Sequence, residues 1–174
     1  MNEDLMGHAD LRGRGVLITG GGSGIGAALV EGFAAHGAKV SFIDIADEPS
    51  TALADRLSAI NDHPVQYIRA DLRDTDAIKH AVDDAAASLG SLSVLVNNAA
   101  WDDRRDLDDI TEDYWDLSQA INLKQVFFTS QAAVPHMRLA GGGAIVNFSS
   151  IAWMLNMGGM PSYTTAKAGI VGLT

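Results

Sequence analysis

Eight residues, Thr19-Gly20-Gly21-Gly22-Ser23-Gly24-Ile25-Gly26, restrict this chain to few folds. They follow the apolar run Val16-Leu17-Ile18 and lead into Ala27 to Phe33, whose apolar residues recur at helical spacing. The stretch therefore reads as a strand, a tight turn and the start of a helix. Glycines let the backbone turn sharply and let a ligand approach closely. The free amides and positive dipole end of the helix attract a pyrophosphate. An ordinary glycine-rich turn would need no more than this, but Asp44 ends the next apolar run, Val40-Ser41-Phe42-Ile43. A carboxylate about 20 residues after such a turn, at the end of the second strand, is spaced to meet the ribose hydroxyls of a dinucleotide.

Strand and helix then alternate. Asp47-Glu48-Pro49 reads as a helix cap, with Leu53, Leu57 and Ile60 as one apolar face. Val65 to Ala70 reads as a third strand ending at Asp71-Leu72, and Asp74-Thr75-Asp76 caps a helix with Ile78, Val82, Ala85 and Leu89 as its buried stripe and Gly90 as its stop. Val94-Leu95-Val96 is a fourth strand running into Asn97-Asn98-Ala99-Ala100. After a charged loop, Asp102 to Asp106, a long helical region is expected from about Thr111 to Leu139, amphipathic through Trp115, Ile121, Phe127 and Phe128. Ala144 to Phe148 is the fifth strand. Short apolar strands separated by helices predict an α/β fold, a Rossmann-like doubly wound parallel sheet covered on both faces, formed by residues 1–174 as one domain.

The balance of 22 acidic against 12 basic residues, net charge −10, argues against nucleic acid or an anionic membrane as the partner. With no cysteine, thiolate metal sites and cysteine nucleophiles are excluded, and no metal site is expected. No run is long and apolar enough to span a bilayer and no apolar signal segment opens the chain, so a cytoplasmic location is expected.

Ser149-Ser150 ends the fifth strand, and Tyr163-Thr164-Thr165-Ala166-Lys167 opens a final helix. Residues four apart share a helix face, so Lys167 can hold its ammonium near the Tyr163 hydroxyl. A nearby cation favours tyrosinate and so makes a phenol usable as a proton acceptor. Such a pair alone is equally at home on a solvated helix face. Its position after the fifth strand of a dinucleotide fold is what favours chemistry.

Taken together, Thr19 to Gly26, Asp71-Leu72, Asn97-Asn98-Ala99-Ala100, Asn122 within Ala120-Ile121-Asn122-Leu123, Ser150, and Tyr163 with Lys167 resemble the short-chain dehydrogenase/reductase family, from about Leu11 onward. Ser150 lies 13 positions before Tyr163, which agrees with the family. Ala100 departs from the family's usual glycine and should slightly crowd the cofactor side of the sheet. The resemblance implies that Tyr163 takes a proton from a substrate hydroxyl as hydride leaves the same carbon. It implies that Lys167 lowers the tyrosine pKa and binds the nicotinamide ribose, that Ser150 bonds the substrate oxygen, and that Asn122 seats a water linking Lys167 to solvent.

It further implies that Gly20, Ser23, Gly24, Ile25 and Gly26 hold the cofactor, with Asp71 and Leu72 at the adenine and Asn98 at the neighbouring ribose. Asp71 reads equally as a turn or cap residue. Asp44 should accept hydrogen bonds from the adenine ribose of NAD and repel the extra phosphate of NADP, with Ser23 and Ile45 offering no offsetting cation, so NAD is the expected cofactor.

Asn97 to Arg105, Tyr114-Trp115-Asp116 and Phe148 to Trp153 resemble the family's NAD-dependent sugar dehydrogenases, which oxidise an aldose at its anomeric carbon. Asp102, Arg104, Trp153 and Asn156, beside Ser150, are then the expected substrate residues, although Asp102 to Arg105 also reads as a solvated loop laced with ion pairs. Met154, where those enzymes often carry histidine, and the methionine- and glycine-rich stretch Asn156 to Pro161 depart from that pattern. Polyol oxidation and 3-oxoacyl reduction stay open. Thr174 falls inside the Tyr163 helix, so the family's C-terminal strands are expected to be missing and the fifth strand to form an open edge. The alternative reading is a truncated NAD-binding fragment without catalysis, and a homo-oligomer is expected only of a full-length chain.

Overall fold

The computed structural model describes residues 11–174. Five strands, β1 (Gly15–Thr19), β2 (Lys39–Asp44), β3 (Gln66–Arg69), β4 (Val94–Asn97) and β5 (Ala144–Asn147), form one parallel sheet in the order β3-β2-β1-β4-β5. The strand order reverses between β1 and β4, and the crevice outside the carboxyl ends of such strands is where a doubly wound sheet takes its ligand. Helices α1 (Gly24–Ala35), α2 (Asp47–Ser58), α3 (Thr75–Leu89), α4 (Glu112–Gln119), α5 (Gln125–Leu139) and α6 (Pro161–Leu173) complete the fold.

Alternation along β1 sorts the core into two layers. Val16 and Ile18 pack with Val30, Ala34, Phe42, Leu53 and Leu57 on the face covered by α1 and α2. Leu17 packs with Ile78, Val82, Ala85, Leu95, Ala133 and Met137 on the face covered by α3 and α5. β1 is buried along its whole length, so it reads as a continuous apolar run, as a strand covered on both faces must. β5 pairs with β4 on one side, and Val146 is 47% exposed.

Three helix details differ from the expectations. At α2 the N-cap is Ala46, with no side-chain cap bond, and just before the helix Asp44 Oδ1 accepts from the main-chain N–H of Ile45 at 2.7 Å and Ala46 at 3.0 Å. Asp47 lies inside the helix and its carboxylate takes the Tyr67 hydroxyl at 2.7 Å and Arg69 Nε at 2.9 Å. Leu53 and Leu57 are buried as expected, but Ile60 lies beyond the last turn and is 72% exposed. The long helical region is two α-helices joined by a π turn, Ala120–Lys124. A π turn inserts a residue and shifts the phase of the helix, so the inward stripe is Tyr114, Ser118, Asn122, Val126, Thr129, Ala133 and Met137, while Trp115 and Phe127 turn outward. The start of α3 is as read: Asp74 accepts from Asp76 N at 2.9 Å and Ala77 N at 3.2 Å, and Gly90 closes the helix at φ 72°.

Candidate functional site

The carboxyl ends of β1 to β4 open onto one cavity of about 730 Å³. Gly20, Ser23, Gly24, Ile25 and Gly26 line it from the first turn, Asp44 and Ile45 from the end of β2, and Asp71, Leu72 and Arg73 from the end of β3. Asn98 and Ala100 reach it from the end of β4, with Asp102 and Ile121 beside them. Every residue expected at the adenosine half of a dinucleotide is thus gathered in one place.

The local sequence explains the shape of this crevice. A Cβ on Gly26 would stand 1.8 Å from the Gly20 carbonyl oxygen and 2.7 Å from Asn98 Nδ2, so only glycine lets the first turn of α1 fold back on the end of β1. Gly24 has φ 52°, the left-handed region. Ser23, at the N-cap of α1, makes no side-chain cap bond, and no acidic residue occupies the first turn, so the leading amides of α1 face outward without a competing anion.

Asn98 ties this turn to β4: its Nδ2 donates to the Thr19 carbonyl at 3.0 Å and the Gly20 carbonyl at 3.1 Å, and the amides of Asn98 and Ala99 each donate to Thr19 Oγ1 at 3.1 Å. Asp44 Oδ2 accepts from Gly22 N at 2.8 Å, which fixes its carboxylate against the glycine turn as well as against the start of α2.

Arg73 was not anticipated. It is the one cation among the described residues that line the cavity, and it is paired with Asp71, its Nε lying 2.9 Å from each carboxylate oxygen. This pairing, with the guanidinium hydrogen bonds as the largest effect, holds the Asp71 carboxyl below the usual carboxylate range. The Arg73 carbonyl in turn accepts from Lys124 Nζ at 3.3 Å. The signal was present in the sequence as the three-residue stretch Asp71-Leu72-Arg73. What the sequence could not show is that the end of β3 turns this side chain into the crevice.

A second group of residues sits at the end of β5. Lys167 is buried, its Nζ donates to the Phe148 carbonyl at 2.8 Å, and it stands 5.6 Å from the centroid of the Tyr163 ring. Burial pushes the Lys167 ammonium down to about 8. Ser149 Oγ donates to the Lys167 carbonyl at 2.7 Å and so clips α6 to the strand end. Ser150 caps a short 3-10 turn, Ile151–Trp153, its Oγ accepting from Ala152 N at 3.1 Å. Asn122, fully buried in the π turn, grips the main chain of Trp101: Oδ1 accepts from its N–H at 2.8 Å and Nδ2 donates to its carbonyl at 2.9 Å. Both functional groups of the Asn122 amide are therefore engaged by protein.

Four of the five expected substrate residues, all but Ser150, divide among three cavities. Asp102 lines the large one. Arg104 lines a second, of about 640 Å³, with Arg105, Asp106, Asp109 and Gly159. Trp153 and Asn156 line a third, of about 300 Å³, against Thr164, Thr165 and Ala168 of α6. Within the charged loop, Arg105 lies over the Tyr114 ring at 4.2 Å and pairs with Asp103 at 3.3 Å, so part of the loop is the ion-paired surface that its composition also allowed.

The family model described as short chain dehydrogenase matches residues 14–174. The chain is 59% identical over 165 residues to a Rhizobium meliloti (strain 1021) protein named "Probable galactose dehydrogenase GalD", covering 95% of this chain and 64% of that protein. It is 49% identical over 167 residues to a D-xylose 1-dehydrogenase of Caulobacter vibrioides (strain NA1000 / CB15N), covering 96% of this chain and 65% of the relative. Among solved structures, a short-chain dehydrogenase/reductase from Serratia marcescens superposes with a TM-score of 0.88 at 35% identity, covering 94% of this chain and 66% of that one. The chain thus spans a little under two thirds of the length of the curated relatives that it matches.

Proposed function

The chain belongs to the short-chain dehydrogenase family, and from that premise we propose that it serves an oxidoreductase that moves hydride from a CH–OH group of a sugar to NAD. The observation that carries this reading is the single cavity in which the glycine turn, Asp44, Asp71 and Asn98 meet. Its volume of about 730 Å³ suits a ligand of cofactor size.

The residues present fit a dinucleotide. Gly26 keeps the floor of the turn free of side chain, the uncapped amides at the start of α1 suit a pyrophosphate, and Asp44 presents a carboxylate already fixed by three main-chain amides. NAD when bound would accept the hydride. Asp44 favours a ribose with free hydroxyls over one bearing a phosphate, because a fixed anion repels a second anion at short range.

The chain's own part in the chemistry falls to the group at the end of β5. Tyr163 takes the proton of the substrate hydroxyl, and Ser150 hydrogen-bonds the same oxygen. Lys167, held by the Phe148 carbonyl, supplies positive charge beside the phenol. Asn122 acts by holding Trp101 between Ala100 and Asp102, both of which line the cavity, so any water relay at this position runs past its main chain. A sugar as substrate is supported by the similarity to the galactose and D-xylose dehydrogenase relatives, and Asp102 is the expected substrate residue that shares the proposed cofactor cavity. The expected partners are a small-molecule substrate and, for the whole protein, further copies of itself. Among the described residues no helix is long and apolar enough to cross a membrane.

Thermal unfolding with NAD, with NADP and without ligand tests the cofactor. At a hundred times its dissociation constant a ligand adds about 2.7 kcal/mol to the folded state. A rise in Tm with NAD that NADP does not match is expected, and no rise with either would sink the reading. Tyr163→Phe should abolish turnover of an aldose while leaving the NAD shift in place, and retained turnover would remove Tyr163 from its role.

A further inference from the structure

We infer that the Asp71–Arg73 pair sets cofactor choice: Asp71 acts as a latch that keeps Arg73, the one cation among the described residues that line the cavity, from a 2′-phosphate. The inference rests on the proposed dinucleotide site. Asp44 and Arg73 line the same cavity, with Ile45, Ala70 and Leu72 also on its walls. A fixed carboxylate at that end disfavours the phosphate, but a free guanidinium there would favour it, since guanidinium and phosphate form strong bidentate hydrogen bonds. Arg73 is not free. Its Nε meets both Asp71 oxygens at 2.9 Å, and its main-chain N–H donates to Asp71 Oδ1 at 3.0 Å, so side chain and backbone are bound to one carboxylate.

The pair is half-exposed, with side-chain exposures of 50% for Arg73 and 36% for Asp71. A solvent-facing pair of this kind is weak enough to be opened by one substitution. The opened guanidinium stays tethered at the cavity wall, where Lys124 Nζ holds the Arg73 carbonyl at 3.3 Å. Asp71 is on this account a positioning residue that acts through Arg73, in addition to any contact with adenine.

The test is titration of the chain with NAD and with NADP, read as the ratio of the two dissociation constants, so that a general weakening of adenosine binding cancels. Asp71→Asn should raise the relative affinity for NADP roughly five- to tenfold. Arg73→Gln added to Asp71→Asn should return the ratio to that of the parent chain. Asp76→Asn, in the exposed first turn of α3 and outside the cavity lining, removes a nearby charge without releasing Arg73 and should leave the ratio unchanged. Asp71→Ser serves if the asparagine variant does not fold, as judged by a cooperative melt. An unchanged ratio in both Asp71 variants, a gain that survives Arg73→Gln, or an equal gain in Asp76→Asn would overturn the latch while leaving NAD binding intact. A parent chain that binds neither dinucleotide would instead overturn the cofactor reading on which the latch depends.

Discussion

The Lys167 ammonium stands 5.6 Å from the centroid of the Tyr163 ring, one turn along α6, with a single hydrogen bond to a main-chain carbonyl and its charge inside the protein. Burial is the cause of its low pKa of about 8. An unfolded lysine keeps its proton to about 10.4, so between these values the unfolded chain binds more protons and stability rises with pH. The cost of holding the charged form is fully present below pH 8 and is relieved as pH climbs above it, by an amount on the order of 3 kcal/mol. Urea unfolding at intervals from pH 7 to 10 should therefore show a rise in the parent chain that is lost in Lys167→Met. A parallel pair of curves would mean that the ammonium is better solvated than its surroundings suggest.

Three glycines of the α1 region should behave differently when changed to alanine. At Gly26 the new methyl meets the Gly20 carbonyl oxygen, so the turn must open, at a cost of about 1–3 kcal/mol or more and with loss of dinucleotide binding. At Gly24 there is space, but φ is 52°, and the left-handed backbone costs a residue with a side chain about 1–2 kcal/mol. At Gly32, within α1, there is space and no positive φ, so alanine should stabilise by about 0.5–1 kcal/mol through helix propensity alone. Chemical denaturation of the three variants gives the order directly, and a destabilised Gly32→Ala would contradict it.

Much of this was legible in the residues. Thr19 to Gly26 and Asp44 could be read because turn chemistry and strand ends are local properties, and the strands that flank them are short apolar runs. In the long helical region Trp115 and Phe127 are exposed and the inward stripe falls on other residues, because aromatic character alone does not fix a helix face and the π turn Ala120–Lys124 has no sequence signal of its own. The clamp of the Asn122 side chain on Trp101 was equally out of reach, since the Trp101 main chain is brought near by the loop after β4. Arg73 and the separation of Asp102, Arg104 and Trp153 into three cavities depend on the directions that loops take at the ends of strands, and no period in the sequence encodes those.

Tyr67 gives a second pH signature, of opposite sign. Burial, and then the hydrogen bond to the Asp47 carboxylate, push its phenol up to about 12. An unfolded tyrosine loses its proton near pH 10, so above that value the native chain binds the extra proton and stability falls as pH rises. Tyr67→Phe should flatten the fall above pH 10 while costing about 1 kcal/mol at pH 7 for the lost hydrogen bond. Thermal melts at pH 7, 10 and 11 would show this, and equal losses at all three would argue against it.

Asn122 offers the most direct link between fold and site. Its amide is matched to the Trp101 main chain by one donor and one acceptor bond, and the two residues beside Trp101, Ala100 and Asp102, line the proposed cofactor cavity. Asn122→Ala removes both bonds and leaves the Trp101 N–H and carbonyl to find other partners, at a cost of about 1–3 kcal/mol for each group left unsatisfied. Asn122→Asp keeps the acceptor for the N–H but sets a carboxylate against the carbonyl in a buried position, which should cost at least as much at pH 7 and less as the pH falls and the acid takes a proton to donate. Both variants should weaken NAD binding by releasing the loop after β4. If Asn122→Ala lowers Tm and leaves the dissociation constant of NAD unchanged, the clamp supports the fold alone and the loop finds its place at the cavity without it.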